Sequence, residues 1–254
     1  MGVDEVHHSA LCAQDVARIR AVLEPLVSDA RRRRLDAVLA ERTREVVLVL
    51  EDIYSDHNSA AVLRTADAMG LTEVHHSSDE REIRLSRRVA LGSEKWLDTV
   101  WHPDVESAFG ALRGRGYQVW AAAVHGETRP LEALPDGPLA LVFGNEHRGL
   151  SSAAIERADG RFRVPMYGFA ESYNISVAAA LALSATVLRR RLEGRLSVLD
   201  REAADRLRVA WYARSVRSAR QLLRKACLPL PVLASARYAP TDEPPAPPEG
   251  DRAP

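Results

Sequence analysis

The chain has little cysteine, almost no lysine, no net charge and no long apolar run. Cys12 and Cys227 are the only cysteines of the 254 residues, far apart and in no paired motif. Neither a disulfide framework nor a cysteine metal site follows, and a reducing compartment is expected. The longest apolar stretch, 175–188, contains Ser176 and Ser184 and is too short to span a bilayer. The N-terminus, MGVDEVHHS, is acidic and has no apolar centre, so it does not read as a signal peptide. The expectation is a cytoplasmic protein with no membrane association.

Several catalytic signatures are also missing. There is no P-loop, no G-x-S-x-G and no H-E-x-x-H. Gly114 and Gly116 form a G-x-G, but it precedes a strand pattern instead of linking strand to helix, so it fails as a dinucleotide fingerprint. The eight histidines show no ligand spacing, and no metal is expected.

Basic and acidic residues balance at 35 each, so affinity for nucleic acid must come from local patches. Two patches exist. Residues 31–44 hold six arginines against Asp36 and Glu41, and residues 197–238 hold eight arginines and Lys225 against Asp200, Glu202 and Asp205. Lys95 and Lys225 are the only lysines. Arginine suits phosphate, because its planar fork makes bidentate contacts.

What is present is organised around residues 139–188. Leu139 to Phe143 is a continuous apolar run, the pattern of a strand buried on both faces. A polar turn follows from Gly144 to Gly149, and Ser151 can cap a short helix to Arg157. A second strand, Arg161 to Val164, runs into Pro165 and a long turn, and Asn174 opens a helix of small residues. Two strands thus end in loops carrying Asn145, Glu146, Ser172 and Asn174, and they are expected side by side. In open α/β sheets ligands bind beyond the carboxyl ends of strands.

Upstream, residues to about Ser9 read as loose. Gln14 to Glu24 and Asp29 to Glu41 read as helices, the second capped by Ser28 with Arg31 to Arg34 around its first turns. Val46 to Leu50 reads as a strand, and Asn58 or Ser59 as the cap of a helix through Met69. Further strands are expected at Glu73 to His76, Asp98 to Trp101 and Gln118 to Ala123, with Asp104 capping a helix to Arg115. Arg81 to Gly92 fits a helix or irregular chain. Residues 196–226 are helical in pattern. This alternation implies an α/β fold, a mostly parallel sheet flanked by helices. The expected organisation is an N-terminal helical extension (1–44), the α/β domain (45–195), C-terminal basic helices (196–238) and a disordered Pro-rich acidic tail (239–254).

Three separated motifs then line up: N-S-A-A-V-L-R-T (Asn58 to Thr65), F-G-N-E-H-R-G-L-S (Phe143 to Ser151) and V-P-M-Y-G-F-A-E-S-Y-N-I-S-V-A-A-A (Val164 to Ala180). Together they resemble the SpoU/TrmH family of SPOUT RNA ribose 2′-O-methyltransferases, and within it the tRNA guanosine branch. The resemblance covers roughly 29–194, in matching order.

That resemblance implies a C-terminal trefoil knot whose loops bind S-adenosylmethionine (AdoMet), a homodimer with its site near the interface, and tRNA as substrate, with ribosomal RNA as the alternative and a non-catalytic RNA-binding dimer a further one. Carried over by motif position, Arg64 is the catalytic arginine, Asn58 shapes its loop, Glu146 supports the site, and Ser172 and Asn174 position the cofactor loop and substrate. Gly144, Asn145, Val164 and Tyr173 line the cofactor, with Ala122 from a preceding strand end. Arg34 and Arg42 match basic positions on the family's RNA-binding helix. Ser55 and Asp56 stand where the family often has Lys-Pro, and Tyr173 replaces a usual leucine.

Overall fold

The computed structural model describes residues 4–80, 82–234 and 237–240, with backbone only at 82–84 and 237–240. Its strands in chain order are β1 (Glu5–His7), β2 (Val46–Glu51), β3 (Glu73–Ser77), β4 (Glu82–Leu85), β5 (Asp98–His102), β6 (Gln118–Ala122), β7 (Arg129–Pro130), β8 (Leu139–Phe143), β9 (Gly160–Arg163), β10 (Leu230–Val232) and β11 (Arg237–Pro240). The α-helices are α1 (Ala13–Leu23), α2 (Asp29–Leu39), α3 (Asp56–Ala68), α4 (Arg87–Ala90), α5 (Val105–Arg113), α6 (Ser152–Arg157), α7 (Ile175–Leu183), α8 (Arg189–Leu192), α9 (Arg201–Ser215) and α10 (Ala219–Lys225).

Seven strands form one sheet in the order β5-β3-β2-β8-β6-β9-β7, and every pairing in it is parallel. The alternation of β2 shows why. Val46, Leu48 and Leu50 pack against α3 and α7, with Val62, Leu63, Ala66 and Leu183, while Val47 and Val49 pack under α5 and α6 with Phe109, Leu112 and Ala154. Each such buried aliphatic side chain contributes about 1.5–3 kcal/mol relative to exposure. The sheet reverses direction of growth between β2 and β8, so the crevice at their carboxyl ends is the natural ligand position.

β6 lies between β8 and β9, so the two strands expected side by side are next-nearest neighbours. The interposed strand brings the end of β6, Ala122, into the same crevice. Residues 82–90, expected as helix or irregular chain, form β4 and a single helical turn, and β4 pairs with β11. Of the tail expected to be disordered, Ala239 and Pro240 belong to β11, and residues from 241 onward lie outside those described.

The terminal segments, read as separate extensions, share one core. Leu11, Ile19, Leu23, Leu35 and Leu39 pack with Leu207, Trp211, Tyr212 and Leu223. Residues 5–7 are not loose: β1 pairs with β10. Asp98, at the start of β5, takes His7 Nε2 at 3.0 Å, His8 Nε2 at 2.8 Å and the Ala234 N–H at 2.7 Å. Burial alone would raise the Asp98 pKa, but the hydrogen bonds from His7 and His8 outweigh it and hold the carboxyl well below the usual range. His8 Nδ1 is buried without a hydrogen-bond partner. The cluster fastens both ends of the chain to the sheet edge, His7 and His8 from one end and Ala234 from the other.

Arg42 takes part in the same junction. It is 1% exposed, pairs with Asp67, donates to the Leu71 carbonyl and lies 5.3 Å from the Trp211 ring. This corrects the expectation that it faces RNA: its guanidinium is spent holding the end of α3 against the helical unit. Arg34, by contrast, is exposed on α2. Arg42→Met is expected to lower the unfolding free energy by about 3 kcal/mol, because it strands Asp67 and the Leu71 carbonyl. Urea unfolding measures this, and a loss below 1 kcal/mol would show that the pair contributes little.

Candidate functional site

The loops after β2, β6, β8 and β9 and the start of α7 enclose a cavity of about 690 Å³. Of the ten candidate catalytic and cofactor residues, nine line it: Asn58, Ala122, Gly144, Asn145, Glu146, Val164, Ser172, Tyr173 and Asn174. Arg64 does not.

Each side chain has a local reason for its place. Ser55 caps α3, its hydroxyl accepting from the Asn58 N–H at 3.3 Å, so the helix begins before the expected Asn58 or Ser59 cap. That leaves the Asn58 amide free of capping. Its Nδ2 donates to Glu146 Oε1 at 2.8 Å, and its Oδ1 accepts from Asn174 Nδ2 at 3.0 Å. Asn174 in turn caps α7 by accepting from the Ser176 N–H and hydroxyl. One polar chain, Glu146–Asn58–Asn174–Ser176, thus joins loops from three distant parts of the sequence.

The loop after β8 is a tight hairpin. Asn145 and Gly149 exchange backbone hydrogen bonds at 3.0 and 2.9 Å. Buried Asn145 fixes it twice over: its Oδ1 accepts from the N–H groups of His147 and Arg148, and its Nδ2 donates to the Asp52 carbonyl at 2.7 Å. Glu51 Oε2 accepts from the Ser151 N–H at 2.9 Å. The two strand ends flanking the crevice are therefore bolted together by side chains.

The cavity is apolar at its base, where Phe143 and Phe162 meet edge to face at 5.9 Å, with Val164 and Ile175 beside them. Its lining carries Glu146, Glu171, Arg148 and Arg163, and of these Glu146 is the one held by Asn58. Burial pushes the Glu146 pKa up, but hydrogen bonds from Asn58 and from the Tyr54 backbone overcome this and leave it below the usual value. The carboxylate is therefore ionised at neutral pH, and the stabilisation it provides is lost only as pH falls through that depressed value. Glu146→Gln keeps the shape but leaves one of two donors, Asn58 Nδ2 or Tyr54 N–H, without an oxygen. It is expected to cost about tenfold or more in turnover. Any acid limb due to this group lies below pH 4.5 in the wild type; a limb near pH 6 that vanished in the variant would contradict the assignment.

Ser172 is exposed and makes no hydrogen bond among the described residues, while Tyr173 donates its hydroxyl to the Pro165 carbonyl at 3.2 Å. Sequence reasoning missed Tyr54 and Arg148, which stand at the rim. Arg148 lies inside a quoted motif, but Tyr54 carries no pattern signal of its own.

A profile of the SpoU rRNA Methylase family matches residues 45–184. The chain belongs to the SpoU methylase family. Among SpoU relatives, the tRNA (guanosine(18)-2′-O)-methyltransferase of Borreliella burgdorferi is 32% identical over 205 residues, covering 80% of this chain and 94% of the relative. The enzyme of that name from Thermus thermophilus is 38% identical over 157 residues, covering 61% of this chain and 81% of the relative. The crystal structure of the A. aeolicus TrmH/SpoU tRNA modifying enzyme superposes with a TM-score of 0.69 at 27% identity, covering 74% of this chain and 98% of that one. The SpoU match spans all the loops that build the cavity and stops within the continuous helical run that follows Asn174. No helix among the described residues is long and apolar enough to cross a membrane.

Proposed function

We propose that this protein transfers a methyl group from AdoMet to the ribose 2′-hydroxyl of a guanosine in tRNA, at position 18. The observation that carries this reading is the single cavity that gathers Glu146, Asn58, Ser172 and Asn174 beside an apolar base. Its volume suits a ligand of AdoMet's size. Phe143, Phe162, Val164 and Ile175 fit the adenosine and thioether portions, and ionised Glu146 favours a nearby sulfonium. AdoMet supplies an electrophilic methyl group.

The chain's own residues do the rest. Ser172 offers a free hydroxyl to the substrate. Asn58 and Asn174 hold Glu146 and the start of α7 in fixed relation, and this preorganisation supplies much of the rate. Arg64 binds phosphate and orients the ribose hydroxyl; a guanidinium stays protonated, so it acts as a donor and a charge. The turn from 164 to 174 closes the C-terminal knot. Exposed Arg33, Arg34, Arg217 and Arg224 on the helical unit give tRNA phosphates a cationic surface.

A homodimer is part of the same reading. Val177, Leu181, Leu188 and Leu192 recur at intervals of four, seven and four residues on α7 and its continuation and are exposed, Leu192 at 80%. Such a stripe fits burial against a second copy.

Ribosomal RNA is the second reading, favoured by the description of the matching family. Purified protein incubated with methyl-labelled AdoMet and unmodified tRNA or rRNA decides between them. Label in tRNA supports the proposal, label in rRNA alone overturns the substrate, and no label in either overturns the activity.

A further inference from the structure

The donor cavity shares a wall with a second recess, of about 300 Å³, at the carboxyl ends of β2 and β3. Tyr54 and Arg148 line both spaces. Asp52, Asp79 and Glu80 line the recess.

Tyr54 is 81% exposed, yet its backbone is firmly placed. Its N–H donates to Glu146 Oε2 at 3.3 Å, the carboxylate that Asn58 also holds. Two residues earlier, the Asp52 N–H donates to the Ser77 carbonyl at 2.9 Å, and the Asp52 carbonyl accepts from Asn145. Asp52 reaches this position with φ of 48°, in the left-handed region. A fixed segment therefore presents a bare aromatic face at the rim of the cavity. The Arg148 guanidinium beside it has no ion-pair or hydrogen-bond partner among the described residues, nor do the carboxylates of Asp52, Asp79 and Glu80.

A nucleobase is attached to the ribose carbon next to the one that bears the 2′-hydroxyl. When that hydroxyl enters the donor cavity, the base comes to lie at its rim. Unstacked bases are held on aromatic faces and guanidinium planes, with their polar edges read by side chains. Guanine presents two adjacent donors, N1–H and the 2-amino group, which match the acceptor oxygens of carboxylates. Adenine presents an acceptor at N1 and is repelled there.

We propose that Tyr54 is the stacking platform for the target base, and that the carboxylates of the adjoining recess select guanine through N1–H and the 2-amino group. This rests on the ribose-methylation reading.

The test uses full-length protein and ligated tRNAs that carry guanosine, inosine or adenosine at the nucleotide the wild type methylates. Inosine lacks only the 2-amino group and is expected to lower kcat/KM about tenfold, and adenosine further. Tyr54→Ala is expected to lower kcat/KM for guanosine about thirtyfold, with AdoMet affinity by calorimetry unchanged, and Tyr54→Phe to restore most of the loss. Glu80→Gln with Asp79→Asn is expected to narrow the guanosine-to-inosine ratio. Equal rates on guanosine and inosine, or equal losses in Tyr54→Ala and Tyr54→Phe, overturn the inference while methylation itself stands. A wild type that methylates no RNA overturns the underlying activity and this inference with it.

Discussion

Arg64→Ala is expected to lower methyl transfer by about two to three orders of magnitude while AdoMet affinity stays within about twofold of wild type. The separation follows from where Arg64 stands. It lies on α3 six residues beyond Asn58, a displacement of about 9 Å along the axis and one and two-thirds turns around it. Asn58 faces the donor cavity, whereas Arg64 is exposed and does not line it. α7, with its exposed Val177 and Leu181, lies against α3. In the proposed homodimer, Arg64 would serve the partner's cavity. Arg64→Lys should be nearly as damaging, because an ammonium cannot make the two parallel contacts of a guanidinium fork. Two impaired variants should then complement each other. In a heterodimer of Arg64→Ala with Glu146→Gln, the cavity with intact Glu146 receives an intact arginine. Random pairing makes half the dimers mixed, each with one working site, so co-expressed variants should recover about a quarter of wild-type activity. No recovery, with dimers confirmed by sedimentation, would place Arg64 in its own chain's reaction.

The central strands were legible because they are buried on both faces. Val46 to Leu50 and Leu139 to Phe143 are unbroken apolar runs, and each lies inside the strand observed. The cavity loops were legible through the family resemblance of three motifs, and nine of the residues it implied line one cavity. Other features depend on partners far along the chain. The three residues of β1 carry no strand signal of their own; β10 and Asp98 make them a strand. Arg42 looks like any surface arginine beside Arg34, and only Asp67 and Trp211 reveal that it is interior. Strand order is equally silent in local pattern, which is why β6 between β8 and β9 came from the structure. Ser55 and Asn58 are both good helix caps by residue type; the pull of Glu146 on the Asn58 amide decides between them.

Gly144→Ala should disable the donor cavity more thoroughly than any polar substitution around it. A Cβ at Gly144 would sit 2.4 Å from the Gly149 carbonyl carbon and the Leu150 nitrogen, both backbone atoms. The demand for glycine is one of space, because the hairpin folds its return strand directly over this position. The Asn145–Gly149 hydrogen bonds forbid a small shift, and Asn145 is tied as well to the Asp52 carbonyl. Relief therefore requires the whole 145–149 turn to move, and Glu146 moves with it, away from Asn58. The expected result is an AdoMet affinity lower by about a hundredfold and a stability lower by about 2–3 kcal/mol, with the far-ultraviolet circular dichroism of the folded protein retained. Gly110→Ala is the matched control. That glycine lies within α5 with nothing inside 4 Å of its added Cβ, so alanine there should leave AdoMet affinity unchanged and raise stability by up to about 1 kcal/mol. If Gly144→Ala binds AdoMet as the wild type does, the hairpin is softer than its hydrogen bonds imply, and the turn is not what shapes the site.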